Sequence, residues 1–359
     1  MITHDFLEIY GGAERVTQEM AAEFPAAPVV CVLGRPGVAA RMGIHGRWRS
    51  VLPPRERLLE HYRWLTPAFP AVVRAARLPA ADVVLSSSYA FAHHFRTPDD
   101  APHVCYCHSP LRFAWTMTGE YQQRWAGGTL AGKMFGTLAA AMREADRRAA
   151  QDVTAYCTQS PFTAEQIERF YGRRAEVIGA PVDCDLFRPS GEDDDGYVLL
   201  CGRLIEPYKQ MGVALDALRA LGRRVVVAGT GPALDELRAR AGRDATFVGH
   251  LGDEDLVSVM QRAAFLLFPS RDDFGLIPVE SMACGRPVLA YAGGGAQHTV
   301  VPGLTGELFA EQTADAIAAA VAAFVPRRYD PTAIRRHAEQ WDRKVFRARL
   351  RATVLGVLR

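Results

Sequence analysis

Short, mostly apolar runs alternate along this chain with longer stretches whose apolar positions recur every three or four residues. The runs Ile2 to His4, Val29 to Leu33, Val83 to Ser86, His103 to Cys107, Thr154 to Thr158 and Ala175 to Ile178 have strand length. Between them Ala13 to Phe24, Leu138 to Ala150 and Pro161 to Phe170 carry the helical period. A second series follows: strand Tyr197 to Cys201, helix Met211 to Leu221, strand Val225 to Ala228, helix Pro232 to Ala241, strand Thr246 to Val248, helix Asp253 to Ala263 and strand Phe265 to Phe268. The helix that holds Glu280 and a strand from Val288 to Ala290 complete it. This alternation predicts an α/β protein with parallel sheets. A stretch rich in Pro, Gly and Asp, from Pro181 to Gly196, separates the two series and predicts a linker. No internal repeat is visible. The tail, Pro331 to Leu358, reads as helices with arginines on one face.

Composition adds limits. At 359 residues there is room for two separate cores. With 49% hydrophobic and 23% charged residues the chain is ordinarily globular, and a net charge of +2 gives no global argument for nucleic acid. Charge is uneven locally: from Arg41 to Arg77 eight Arg face two Glu. The seven Cys are odd in number and scattered, which implies a reduced, cytoplasmic setting. Cys105 and Cys107 flank Tyr106 in an apolar strand and read as buried thiols, since with His108 they match no common zinc framework. No stretch approaches the ~18 apolar residues of a membrane span, and no secretory leader is visible.

The densest chemical signal is the run Ser270 to Val288. Asp272 and Glu280 lie eight positions apart on either side of Gly275, which opens a helix. Glycine lets the main chain approach a ligand, and the first N–H groups of a helix attract an anion. Carboxylates beside them accept from hydroxyls. Phosphate at a helix start with acids for hydroxyls is the chemistry of a nucleotide-sugar site. Asp273 competes with Asp272, but its spacing to Glu280 is one residue short.

This run, with Gly11-Gly12-Ala13-Glu14-Arg15-Val16, Tyr106-Cys107-His108-Ser109-Pro110 and Cys201-Gly202-Arg203-Leu204, resembles the family 4 glycosyltransferases over nearly the whole chain. Within them it is most similar to the bacterial mannosyltransferase-type branch that builds O-antigen. The family motif is Glu, seven residues, Glu; here Asp272 replaces the first Glu. The resemblance implies a GT-B fold: two Rossmann-like domains, 1–185 on the acceptor side and 186–335 for the donor, facing across a cleft, with a C-terminal helix, 336–359, crossing back onto the first. The opening strand is shorter than in the family, which implies a start site upstream of Met1.

By the same resemblance, Arg203 and Lys209 bind the donor diphosphate, Asp272 the sugar hydroxyls and Glu280 the ribose. Phe274, Gly275 and Leu276 belong to the donor turn, and Gly11 and Gly12 to the loop facing diphosphate and sugar. His108 contacts the donor sugar, and His250 lies where main-chain groups hold the base. Gly229 and Gly231 form either a tight turn or a nucleotide contact. Asp5 is a candidate for the acceptor side. No carboxylate is placed as a nucleophile, so a same-face, retaining substitution is expected. It needs no cofactor and no metal. Asp193, Asp194 and Asp195 sit in the linker and read as a solvated charge run.

The reading is a retaining hexosyltransferase using a nucleotide diphosphate sugar, GDP-mannose first, on a lipid-linked glycan or small-molecule acceptor. Its rivals are a nucleotide-sugar 2-epimerase and a non-catalytic nucleotide-sugar binding protein. The basic segment interleaves Arg47, Trp48, Arg49, Arg55, Arg57, Arg63 and Trp64. It reads either as a peripheral contact for the anionic inner face of the cell membrane or as a solvated arginine face.

Overall fold

Strands apolar on both faces need helices on both faces. The computed structural model of the chain, which describes residues 1–119 and 129–359, meets that need twice. One unit comprises Met1–Ala180 with Phe346–Arg359; the other is Pro181–Val345. The first holds seven parallel strands: β1 (Ile2–Leu7), β2 (Val29–Gly34), β3 (Trp48–Ser50), β4 (Val84–Ser88), β5 (His103–Cys107), β6 (Ala155–Thr158) and β7 (Ala175–Val177). Their order in the sheet is β3-β2-β1-β4-β5-β6-β7. The second holds β8 (Tyr197–Cys201), β9 (Val225–Ala228), β10 (Ala245–Gly249), β11 (Ala263–Phe268), β12 (Val288–Tyr291) and β13 (Gly306–Phe309), in the order β10-β9-β8-β11-β12-β13. Both are Rossmann-like, and in both the order reverses once, at β1/β4 and at β8/β11. Chains leaving the two strands at such a point turn to opposite sides and leave a crevice.

Local chemistry fixes the elements. The helix Pro161–Tyr171 begins on Ser160, whose Oγ accepts from the Thr163 N–H, with Pro161 in its first turn. It ends at Gly172, left-handed at φ 67°. Phe6, Phe69 and Phe91 centre one core of the first unit, and Leu215, Leu218, Val227, Leu267 and Ile317 lie in that of the second. Phe346 packs edge-on to Tyr106 at 5.6 Å, and Arg347 and Arg351 pair with Glu19 and Glu23.

Several expectations change. β1 has six residues and continues through Asp5 and Phe6 to Leu7, so the opening strand is as long as β2. β3, β13 and the helices Pro36–Arg41, Glu56–His61, Phe69–Ala75 and Ala314–Ala323 lack a clean period in the sequence. The edge strand β3 is three residues long inside the arginine segment, where polar side chains mask the pattern. The Asp193–Asp195 run is not merely solvated: Asp195 forms an ion pair with Arg262 at 2.5 Å, and Asp194 accepts the Gly196 N–H at 2.9 Å. Cys105 and Cys107 are buried in β5. No helix among the described residues is long and apolar enough to cross a membrane.

His103 opens β5 and His108 follows its end; both are buried, and burial pushes each ring down to about 3, with the neighbouring His93 and His4 adding to it in turn. Folded, both are neutral; unfolded, each takes a proton near pH 6.5. Their contribution to stability is therefore full above about pH 6.5 and is lost as pH falls toward 3, roughly 2 kcal/mol per ring by pH 5. The melting temperature should drop between pH 7 and pH 5 in calorimetry. His103→Gln, whose amide can still meet the Ser86 hydroxyl that His103 Nε2 approaches at 2.8 Å, should show a shallower drop.

Candidate functional site

In the second unit, β8 and β11 lie side by side and their exit loops carry the acids and bases of interest. After β8 the chain passes through Gly202, at φ 142°, to Arg203, which is exposed and makes no ion pair among the described residues. Glu206 then turns back: its Oε1 accepts from the N–H groups of Met211 and Gly212 at 2.6 and 3.2 Å. That carboxylate closes the start of the helix Met211–Ala220 to any external anion. Lys209, just before it, donates to Asp272 Oδ2 at 2.5 Å, the two side chains 14% and 19% exposed.

After β11 the chain reaches Asp272, Asp273 and Phe274, then Gly275 in the left-handed region at φ 84°, where a Cβ would be strained. The helix Leu276–Ala283 starts there with no side chain capping it. Pro278 has no N–H, so Leu276 and Ile277 are its first amide donors. Glu280 is buried on this helix, and Phe274 is buried edge-on to Trp341 at 6.3 Å. Asp272 Oδ1 is buried without a hydrogen-bond partner among the described residues. Of the two candidate acids, Asp272 is the one joined to Lys209.

Glycines set the closeness of these loops. A Cβ on Gly229 would lie 1.9 Å from the Gly202 carbonyl oxygen, and one on Gly231 2.2 Å from that of Leu204. These two glycines therefore let the loops after β8 and β9 pack main chain on main chain. His250 is exposed beyond Gly249, whose carbonyl accepts the Gly229 N–H at 2.7 Å. The run Gly293–Gly295 after β12 acts in the same way. The Gly295 N–H donates to the Asp272 carbonyl at 2.7 Å, and a Cβ on Gly295 would lie 2.2 Å from Phe274 Cα. Three glycines directly after an apolar strand were the visible sign of it.

The first unit builds a buried polar chain at its own reversal point. The Gly11 N–H donates to Glu14 Oε2 at 2.9 Å, and Gly12 opens the helix Gly12–Glu23. Glu14 Oε1 lies 3.5 Å from His4 Nε2, and His4 Nδ1 lies 3.0 Å from Thr17 Oγ1 and 3.1 Å from Ser87 Oγ. Ser87 Oγ is 2.8 Å from His108 Nε2. The Gly11–Gly12 turn and His108 are thereby linked through side chains buried in the sheet edge. The His108 carbonyl accepts from Gln159 Nε2 at 2.8 Å, and burial keeps its ring neutral. Asp5 is a correction. It is fully buried and does not face an acceptor; its two oxygens accept the N–H groups of Tyr89, Ala90, Phe91 and Ala92 at 2.5–2.9 Å. The structure adds Glu14, Thr17, Ser87 and Gln159 to the chain that reaches His108 in the first unit, and Glu206 beside the Lys209 loop in the second. Ser and Thr on short strands carry no spacing that singles them out.

The sequence model of the Glycosyltransferase Family 4 domain matches residues 10–186, and that of Glycosyl transferases group 1 matches residues 195–325. The D-inositol 3-phosphate glycosyltransferases of Mycobacterium tuberculosis and Mycobacterium bovis are 34% identical over 186 residues. That match spans 43% of this chain and 38% of those proteins. Among solved structures, Anabaena HepE in complex with UDP and glucose is similar at 18% identity and a TM-score of 0.74, covering 98% of both chains. Sucrose-phosphate synthase from Thermosynechococcus elongatus is similar at 18% identity and a TM-score of 0.68, over 99% of this chain and 98% of that one. These likenesses show the fold, which is GT-B.

Lys209 and Asp272 act as one unit in this geometry, so their substitutions should not add. Lys209→Ala and Asp272→Asn each strand a partly buried charge or its partner. A double-mutant cycle in urea unfolding should give a coupling of about 1 kcal/mol. Strict additivity would mean that the pair does not form in solution.

Proposed function

Because the chain belongs to the family 4 glycosyltransferases, we propose that it transfers a hexose from a nucleoside diphosphate sugar to an acceptor hydroxyl with retention at the anomeric carbon. The observation that carries this reading is the Lys209–Asp272 pair beside the uncapped start of the helix Leu276–Ala283. The diphosphate is assigned to Arg203, to Lys209 and to the Leu276 and Ile277 amides. Arg203 supplies a planar fork and Lys209 a point charge. Donor binding exchanges the ion pair: Lys209 turns to phosphate, and Asp272 turns to a sugar hydroxyl. Glu280 is assigned to the ribose, Phe274 and Gly275 to the turn that shapes the pocket, and His250 to the base through its main chain. Gly11, Gly12 and the neutral His108 are assigned to the sugar and acceptor side.

As the bond from the anomeric carbon to the phosphate oxygen breaks, negative charge grows on the diphosphate, and these cations and amides stabilise it. The acceptor oxygen bonds to the same face, and its proton passes to the departing phosphate oxygen. The cations neutralise the leaving group, so this route calls for no metal or cofactor. The mannosyltransferase resemblance makes GDP-mannose the first donor to test; HepE, solved with UDP and with UDP-glucose, adds those. The acceptor is a lipid-linked glycan or a small molecule, to which the relatives' name adds inositol phosphate.

Thermal-shift screening against a panel of nucleotide sugars names base and sugar together, because a ligand that binds only the folded state raises its melting temperature. Turnover of the hit then distinguishes transfer from epimerisation, which alters the donor sugar, and from binding without reaction. Arg203→Ala and Lys209→Ala should each lower kcat/KM about a hundredfold, on the order of 3 kcal/mol. A folded variant with unchanged kcat/KM would remove that residue from the diphosphate site.

We also propose that the basic segment meets an anionic membrane surface. Trp64 is 70% exposed and Leu65 42%, with Arg55 and Arg57 exposed nearby in sequence. Trp48 instead lies half-buried in β3, and Arg47 and Arg49 donate to the carbonyls of Pro25 and Arg77. The Arg63 side chain lies outside the described residues. Each cation near an anionic surface contributes about 1 kcal/mol. Sedimentation with anionic vesicles should be strong at low salt, weaker at high salt, and weaker again for Trp64→Ala. Protein that stays in the supernatant at low salt would end the membrane reading.

A further inference from the structure

Away from the residues assigned to transfer, three buried side chains of the first unit converge. His93 and His94 end the short 3-10 turn Ala92–His94 that follows β4, and Asp146 lies on the helix Thr129–Gln151. They are 3%, 2% and 0% exposed. The Nε2 atoms of both rings lie 3.1 Å from the same oxygen, Asp146 Oδ1, and the potential ligand atoms are all within 4.8 Å of one another. His94 Nε2 makes a hydrogen bond to that oxygen. His93 Nε2 does not. Close as it is, it has no hydrogen-bond partner among the described residues.

The surroundings hold both groups in place. His93 Nδ1 lies 2.9 Å from Ser88 Oγ, and that oxygen also accepts the His93 main-chain N–H at 3.4 Å. Nδ1 is thereby engaged, and Nε2 is the ring nitrogen open to a ligand. The other carboxylate oxygen, Asp146 Oδ2, is already held by Trp115 Nε1 and Tyr171 Oη, each at 2.7 Å. A hydroxyl behind an imidazole, and two donors behind a carboxylate, are the outer contacts that fix metal ligands in place.

We propose that His93, His94 and Asp146 bind one divalent ion of the zinc class. Two imidazole nitrogens and one carboxylate oxygen suit Zn²⁺ and Co²⁺, and bonds of about 2.0–2.2 Å hold tetrahedral ligand atoms roughly 3.3 Å apart, close to the 3.1 Å from each ring nitrogen to Asp146 Oδ1. A ligating ring nitrogen carries no proton, so ion binding moves the one shared between His94 Nε2 and Asp146 Oδ1 to Nδ1 or to solvent. A cavity of about 250 Å³ lined by Pro70, Ala71, Arg74, His94, Ala145 and Arg148 reaches the His94 ring. The two arginines at its wall are neutralised by Asp152 and Glu144. The ion's effect is positional: Ser88, which contacts His93, also accepts the His108 N–H through its carbonyl at 2.8 Å, so an occupied site ties the end of β4 to the loop bearing His108.

The full chain, stripped with a chelator and desalted, is titrated with Zn²⁺ and with Co²⁺. The expected result is one ion per chain, a melting temperature raised by several degrees, and visible Co²⁺ absorption of four-coordinate type. His93→Ala leaves Asp146 bound to His94, Trp115 and Tyr171 and so should fold; it should lose the ion, the shift and the spectrum. Asp146→Asn should lose them too, and His93→Ala carries the test if that variant does not fold. No ion bound by the natural chain, or equal binding by His93→Ala, overturns the proposal.

Discussion

Each of the two sheets has one pair of neighbouring parallel strands from which the chain departs in opposite directions, and the residues of interest lie at those pairs or at the strands beside them. β1 beside β4 and β8 beside β11 are held by main-chain hydrogen bonds in fixed register, Ile2 opposite Leu85 and Leu266 opposite Leu199. Because side chains alternate along a strand, a slip of one residue would turn each buried face outward. The register therefore fixes the strand ends, and the ends fix where the loops begin. Lys209 and Asp272 meet although 63 positions separate them, because their loops leave adjacent strand ends. The link from His4 to His108 has the same origin, through Ser87 on β4.

Loops at such a reversal expose amide groups that no strand satisfies, and the chain answers this differently at each place. Asp5 takes four N–H groups of the turn after β4, and Glu206 takes two at the start of the helix Met211–Ala220. The helix Leu276–Ala283 receives no such side chain. Two helix starts near β8 and β11 thus differ in kind: one is internally neutralised and one has no side-chain cap. The acid that could have served the second, Asp272, is held by Lys209.

The alternation of apolar runs and helical periods was enough to read the two parallel sheets, and nearly every central strand fell where its run lay. Strands buried on both faces have little freedom in composition, so their sequence is distinctive. The edge strands β3 and β13 and the short helices around the arginine segment were not legible, because exposure on one side admits polar residues that break the period. In the candidate site, Arg203, Lys209 and Asp272 were visible as charges in loops after strands, and Glu280 as an acid on the helix that follows. The role of Asp5 was misread, since a carboxylate beside a strand looks alike whether it faces solvent or caps a turn 84 residues away. His93, His94 and Asp146 left no trace of their meeting, because a pair of adjacent histidines and an acid 52 residues later have no motif in common.

Position 272 has its main chain and its side chain under separate control. Gly295 grips its carbonyl, while the carboxylate answers only to Lys209 among the contacts seen. The loop therefore keeps its path whichever acid it carries, and Asp and Glu differ by a single third-base change in the codon. Natural drift can exchange reach for closeness at this point without refolding anything. A directed-evolution library aimed at new substrates can exchange one acid for the other at 272, provided the three glycines that follow β12 are left untouched.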